Sequence, residues 1–183
     1  MEKLSEKYYA LLDWFKGFKG VLVAFSGGVD STLVAYAAKQ VLGDGALAVT
    51  VNIPLLPPGE LSEAREVAPQ IGIKHLIVDV NLLENEKIVE NPPDRCYYCK
   101  LELMGKLLEI AANRGLNVVV DGTNADDIKS YRPGIKALKE LGIRSPLAEV
   151  GISKKDARAI SRMLGLPTAD KPPASCLASR FPY

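Results

Sequence analysis

Scarcity is the first signal in these 183 residues. The chain has three cysteines, one histidine and one tryptophan. Three thiols cannot all pair within one chain, so a disulfide framework is excluded and a reducing, cytoplasmic setting is expected. A single histidine leaves little for a His-rich metal site; a four-ligand zinc would have to recruit His75, which reads better as a packing or surface residue. Net charge is only +1, so no basic field marks nucleic acid as a partner. No apolar run approaches the ~18 residues of a membrane span. The opening MEKLSEKYYALLDWF carries acidic residues where a signal peptide would be apolar, and sets Leu4, Tyr8, Leu11, Leu12 and Phe15 on one helical face. Repeats and low-complexity tracts are absent as well.

What remains is the composition of one ordinary globular domain, 48% hydrophobic and 25% charged,. Its most telling stretch is VLVAFSGGVDST. Val21 to Phe25 form a continuous apolar run, the mark of a buried parallel strand. Leu33, Val34, Ala37, Ala38 and Val41 then return at helical spacing. Between them Ser26, Gly27, Gly28, Asp30 and Ser31 make a turn at the positive end of the new helix, a place that binds phosphate. Neither the Walker pattern nor the GxGxxG fingerprint fits. Further strands are predicted at 45–53, 74–80, 117–124 and 145–150. A helix is predicted over 60–71 with Pro69 ending or kinking it, a long helix after Arg95, and a last helix from a Ser153–Asp156 cap to Gly165. Strands alternating with helices imply an α/β fold of Rossmann type, a parallel five-stranded sheet covered on both faces. Its ligands should sit beyond the carboxyl ends of the strands.

Three segments supply further chemistry. NPPDRCYYCK brings Cys96 and Cys99 to a helix start, where the dipole, Arg95 and Lys100 should lower thiol pKa values. Zinc ligation, a redox pair, plain helix packing and, with Cys176, three thiolates on an iron–sulfur cluster all remain open at this point. DGTNADD offers Asp121, Asp126 and Asp127, of which one or two could share a Mg²⁺ with substrate phosphates; solvated acids in an Asx-turn loop are the plainer alternative. KPPASCLASRFPY stiffens a segment that delivers Ser175, Cys176, Ser179 and Arg180.

SGGVDS resembles the pyrophosphate loop, SGGxDS, of the ATP pyrophosphatase (PP-loop) superfamily, with its adenine nucleotide alpha hydrolase-like fold. Together with DRCYYCK, DGTNADD, YRPG, GIRSPL and KPPASCLASRFPY, in that order, it is similar to the LarE-type sulfur transferases from about Gly20 onward. The resemblance implies an enzyme that uses ATP and Mg²⁺ to adenylate a carboxylate of pyridinium-3,5-biscarboxylic acid mononucleotide, then inserts sulfur on the way to the nickel-pincer nucleotide. It implies phosphate contacts from Ser26, Gly27, Gly28, Asp30 and Ser31, and nucleotide contacts from Val51, Thr123, Asp126 and Arg180. It implies Asp30 and Cys176 as reacting-site residues and Asp127 as a metal ligand. Cys176 then either gives up its own sulfur or joins Cys96 and Cys99 on a [4Fe–4S] cluster, which three retained cysteines favour. Family members continue past the last residue here, so a C-terminal helical region and homo-oligomer contacts are expected outside this sequence. Amidating synthetases of the GMP, NAD or asparagine type, tRNA-thiolating enzymes, and a non-catalytic ATP-binding protein are the alternatives.

Overall fold

Val21–Ala24 (β1), Ala46–Asn52 (β2), Lys74–Asp79 (β3) and Val119–Val120 (β4) pair in parallel in the order β3-β2-β1-β4. This computed structural model describes residues 2–130 and 132–181; Tyr131 of YRPG, and Pro182 and Tyr183, lie outside the described residues. Alternation within the strands explains why both faces are covered. Val21, Val23 and Ala48 pack on one side, with Leu11 and Phe15 of helix Glu2–Phe15 (α1), Leu33 and Val34 of Val29–Leu42 (α2) and Ile160 of Lys154–Met163 (α8). Leu22 and Val49 pack on the other, against Met104 and Leu107 of Arg95–Asn113 (α5) and Leu138 of Pro133–Glu140 (α6). The short helix Glu86–Val89 (α4) lies beside α5. A strand covered on both faces needs apolar residues at successive positions, which is why β1 and the first half of β2 read as unbroken apolar runs,.

The fifth strand does not form. Pro146 sits in the first turn of a short helix, Pro146–Glu149 (α7), where its preset φ fits and its missing N–H is no loss,. Pairing beyond β4 shrinks to one bridge between Val120 and Arg144, whose N–H donates to the Val119 carbonyl. Pro69 is the penultimate residue of Glu60–Gln70 (α3), so it ends that helix and does not kink its middle. The Ser153–Asp156 capping box is present at the start of α8.

His75 packs. Thr50 Oγ1 donates to the Phe25 carbonyl at 2.7 Å and lies 2.8 Å from His75 Nε2. A hydroxyl has one proton, so Nε2–H must be the donor to Thr50. Burial, then Arg65, pull the imidazole pKa down and keep it neutral.

The chain runs from β1 outward through β2 to β3 and then crosses back to place β4 on the far side of β1. The crevice of an open α/β sheet opens where the strand order reverses in this way. Here that is between β1 and β4.

Candidate functional site

A cleft of about 460 Å³ lies at this edge. Its floor is the turn between β1 and α2. Ser26 and Ser31 hydroxyls meet at 3.0 Å, the Ser31 hydroxyl accepts from the Ser26 N–H at 3.2 Å, and the Gly28 N–H donates to Ser26 Oγ at 3.3 Å. These bonds hold the turn open as a concave rim, while the first amides of α2 have no acceptors within the helix. Two glycines are needed for steric reasons. Gly27 has φ +71°, and a Cβ there would stand 2.9 Å from the Ala64 Cα; a Cβ on Gly122 would stand 2.8 Å from the Ser31 N. Gly27→Ala is therefore expected to cost roughly 1–3 kcal/mol in urea unfolding and to weaken ATP binding in the same preparation; unchanged values for both would remove the turn from the site.

The β4 exit forms the facing wall. Asp121 is buried and accepts from Thr123 N (3.1 Å), Thr123 Oγ1 (2.6 Å) and Ser145 Oγ (2.7 Å). Asn124 accepts from the Asp126 and Asp127 N–H groups and sends its amide toward Asp30 at 3.4 Å. Asp127 lines the cleft and pairs with Arg132 at 2.9 Å. Asp126 points elsewhere: its carboxylate accepts from the Lys154 N–H and caps α8. Lys154 Nζ reaches back to Asp30 Oδ2 at 2.5 Å. Burial raises the Asp30 pKa more than Lys154 and Asn124 lower it, and Asp30 Oδ1 is buried with no partner.

The tail crosses above. Arg158 donates to the carbonyls of Ala169 (3.0 Å) and Lys171 (2.8 Å). Lys171 Nζ contacts Glu60 at 3.0 Å, Glu63 at 2.7 Å and the Gly27 carbonyl at 3.4 Å. Burial lowers the Lys171 pKa, but the two glutamates outweigh it and raise it overall. Past the two prolines, the Leu177 N–H donates to the Leu55 carbonyl at 3.0 Å. This strap brings Cys176 into the lining of the cleft.

All three thiols lie within electrostatic reach of one cation. Arg95 is buried, donates from Nη2 to Cys96 Sγ at 3.4 Å and from Nη1 to Asn91, and feels Cys96, Cys176 and Cys99 electrostatically. The expected lowering of thiol pKa values fails at Cys99, which burial pushes up to about 11 against the pull of Arg95. Among the described residues no three His, Cys, Asp or Glu side chains stand in an arrangement ready to hold a metal. The thiols are neighbours, not an assembled ligand set.

Of the residues singled out in the sequence, Ser26, Gly28, Asp30, Ser31, Val51, Thr123, Asp127 and Cys176 line the cleft. Gly27 is buried beneath the turn. Cys96 and Cys99 stand beside the cleft, Asp126 is turned to α8, and Arg180 is exposed on the short 3₁₀ turn Leu177–Arg180. The cations Lys154 and Arg158 escaped sequence reasoning because each belongs to an ordinary amphipathic helix pattern.

A glycine turn of this geometry at the switch point of an open parallel sheet defines a PP-loop nucleotide-binding protein. The NAD synthase family model matches residues 14–91, the part that carries the turn. The fold is shared with a U34-tRNA thiolase of Methanococcus maripaludis solved with its [4Fe–4S] cluster: TM-score 0.69, 21% identity, 98% of this chain and 71% of that one. The sequence is 51% identical over 180 residues to an uncharacterized Synechocystis protein, covering 98% of this chain and 67% of that one. It is 40% identical over 184 residues to the pyridinium-3,5-bisthiocarboxylic acid mononucleotide synthase of Lactiplantibacillus plantarum, covering 100% and 67%. The chain belongs to the LarE-type family of ATP-dependent sulfur transferases.

Proposed function

We propose that this protein adenylates a carboxylate of pyridinium-3,5-biscarboxylic acid mononucleotide with ATP and delivers sulfur to the activated carbon through Cys176. The observation that carries this reading is the convergence of the PP-loop turn and the Cys176 thiol on one cleft. A carboxylate resists attack until its oxygen becomes a leaving group, and AMP provides one; a thiolate is then an effective nucleophile.

In this reading the ATP phosphates lie on Ser26, Gly27, Gly28, Asp30 and Ser31, with adenine along the β2 exit at Val51–Ile53 and Thr123 at the facing wall. Asp30 Oδ1, buried and unpartnered, fits a Mg²⁺ ligand, with Asp127 beside it; the ion, when bound, neutralises phosphate charge. Cys176 presents its sulfur over the α-phosphate, and Arg95 steadies the cysteine group. Three cysteines are the donor set for a [4Fe–4S] cluster with one open iron, which when bound supplies an exchangeable sulfide position. Asp126 and Arg180 are left out of the proposed contacts, because one caps α8 and the other lies outside the cleft lining. No helix among the described residues is long and apolar enough to cross a membrane.

Mass spectrometry of the protein after reaction with ATP and the dicarboxylate tests the sulfur source. Loss of H₂S from Cys176 marks the sacrificial route. An unchanged mass, with iron and sulfide in anaerobically purified protein, marks the cluster route. Product without either sign overturns both.

A further inference from the structure

Among the described residues four cations line the cleft, and three of them are already engaged. Lys154 pairs with Asp30, Lys171 with Glu60 and Glu63, and Arg158 with two backbone carbonyls. Lys100 differs. Among the described residues its one charged neighbour within 4 Å is Asp121, at 3.9 Å, and Asp121 already accepts three shorter hydrogen bonds. The Lys100 side chain is 37% exposed and lines the cleft. An ammonium at a half-covered wall, with only a long contact to a carboxylate that is already hydrogen-bonded, is set for an anion that arrives with the ligand,.

Its place along α5 says which anion. Residues three and four apart share a helix face. Leu103, Met104 and Leu107 line the cleft as an apolar wall. Lys100 stands one turn before Leu103 and Met104 and two turns before Leu107, and Cys96 and Cys99 lie within the turn before Lys100. The cation thus sits where the apolar wall gives way to the thiols, with Cys176 on the overlying strap.

We propose that Lys100 holds the reacting carboxylate of the substrate and sets the preference for a carboxylate over a neutral acyl group; this rests on the reading of the site given above. In the first step a carboxylate oxygen attacks the α-phosphorus, the bond to the bridging oxygen breaks, and pyrophosphate leaves with the electron pair. In the second, sulfur adds to the acyl carbon and AMP leaves. Negative charge lies on the carboxylate before the first step and returns to the carbonyl oxygen during the second. One ammonium at that oxygen serves both moments.

Nicotinic acid mononucleotide and nicotinamide mononucleotide differ only in carboxylate against carboxamide, and titrating each calorimetrically into protein loaded with a non-hydrolysable ATP analogue isolates that contact. Wild-type protein is expected to prefer the acid. Lys100→Met is expected to weaken the acid at least about tenfold and the amide less than about twofold, the size of one charge-assisted contact. Lys100→Arg should restore most of the preference, and affinity for the ATP analogue in both variants, within about twofold of wild type, reports an intact cleft. Equal loss for both mononucleotides, no preference in the wild type, or a large loss of nucleotide affinity would each overturn the assignment. Sulfur delivery plays no part in the titration, so it stands apart from the mass-spectrometric test of the overall reaction.

Discussion

Cys176→Ala protein is expected to release pyrophosphate from ATP in the presence of the dicarboxylate and to form no thiocarboxylate. Both halves of that outcome follow from where the thiol sits. The side chain lines the cleft, but the strap is held by groups other than the thiol: the Leu177 N–H donates to the Leu55 carbonyl at 3.0 Å, and within the segment Ser179 Oγ donates to the Cys176 carbonyl at 2.6 Å. Removing the sulfur breaks neither bond, so the nucleotide half of the site survives. Removal of a nucleophile that the chemistry depends on costs at least about 10³-fold in rate. Thiocarboxylate measured by mass spectrometry beside pyrophosphate release is the check, and equal loss of both signals would mean that Cys176 supports the cleft and does not carry sulfur. Cys96→Ser and Cys99→Ser divide the two routes, since the sacrificial one has no need of either.

Asp30→Ala is expected to fail earlier, at pyrophosphate release. Its Oδ1 is buried without a partner, an arrangement that costs stability unless a ligand satisfies it. In the proposed reading Asp30 holds Mg²⁺ at the phosphates, and losing such a carboxylate removes several kcal/mol of charge stabilisation, or about 10³-fold in rate. The expected thermal midpoint is close to that of wild type, because the lost pair with Lys154 is offset by the relief of a desolvated anion. Burial raises the Asp30 pKa, with Lys154 and Asn124 opposing. In the metal-free protein, capture of Mg²⁺ by this carboxylate should therefore weaken with acid at a pH above the ordinary aspartate range. For stability the sign is reversed from the usual carboxylate: a raised folded-state pKa favours the fold at low pH, and that contribution is lost as pH rises through it. Wild-type pyrophosphate release in Asp30→Ala would separate this residue from the phosphates.

The sheet was legible where strands are buried on both faces, because a short unbroken apolar run between turn residues suits a central parallel strand. SPLAEV misled because its apolar residues suit a strand, whereas Pro146 suits the first turn of a helix and takes it. The PP-loop turn was legible from six residues, since strand, glycines, hydroxyls and helix lie side by side in sequence. The rest of the cleft is assembled from distant pieces. Lys154 looks like a surface residue of α8, and only the fold carries it 124 positions back to Asp30. The thiols show the same limit: a helix start beside Arg95 suggests acidic cysteines, but the burial of Cys99, which only the packed structure reveals, reverses the sign.

The strap from Ala169 to Leu177 lies over the cleft and also carries Cys176. Arg158 and Leu55 hold it from outside, and its own Lys171 ties it to Glu60 and the Gly27 carbonyl. If ATP enters beneath this roof, lifting it takes the thiol away, and lowering it returns the thiol to a closed chamber. In the proposed reaction, timing would then be built into the chain: sulfur would meet the activated carbon only with bulk water shut out, and the adenylate would be guarded by the same segment that consumes it.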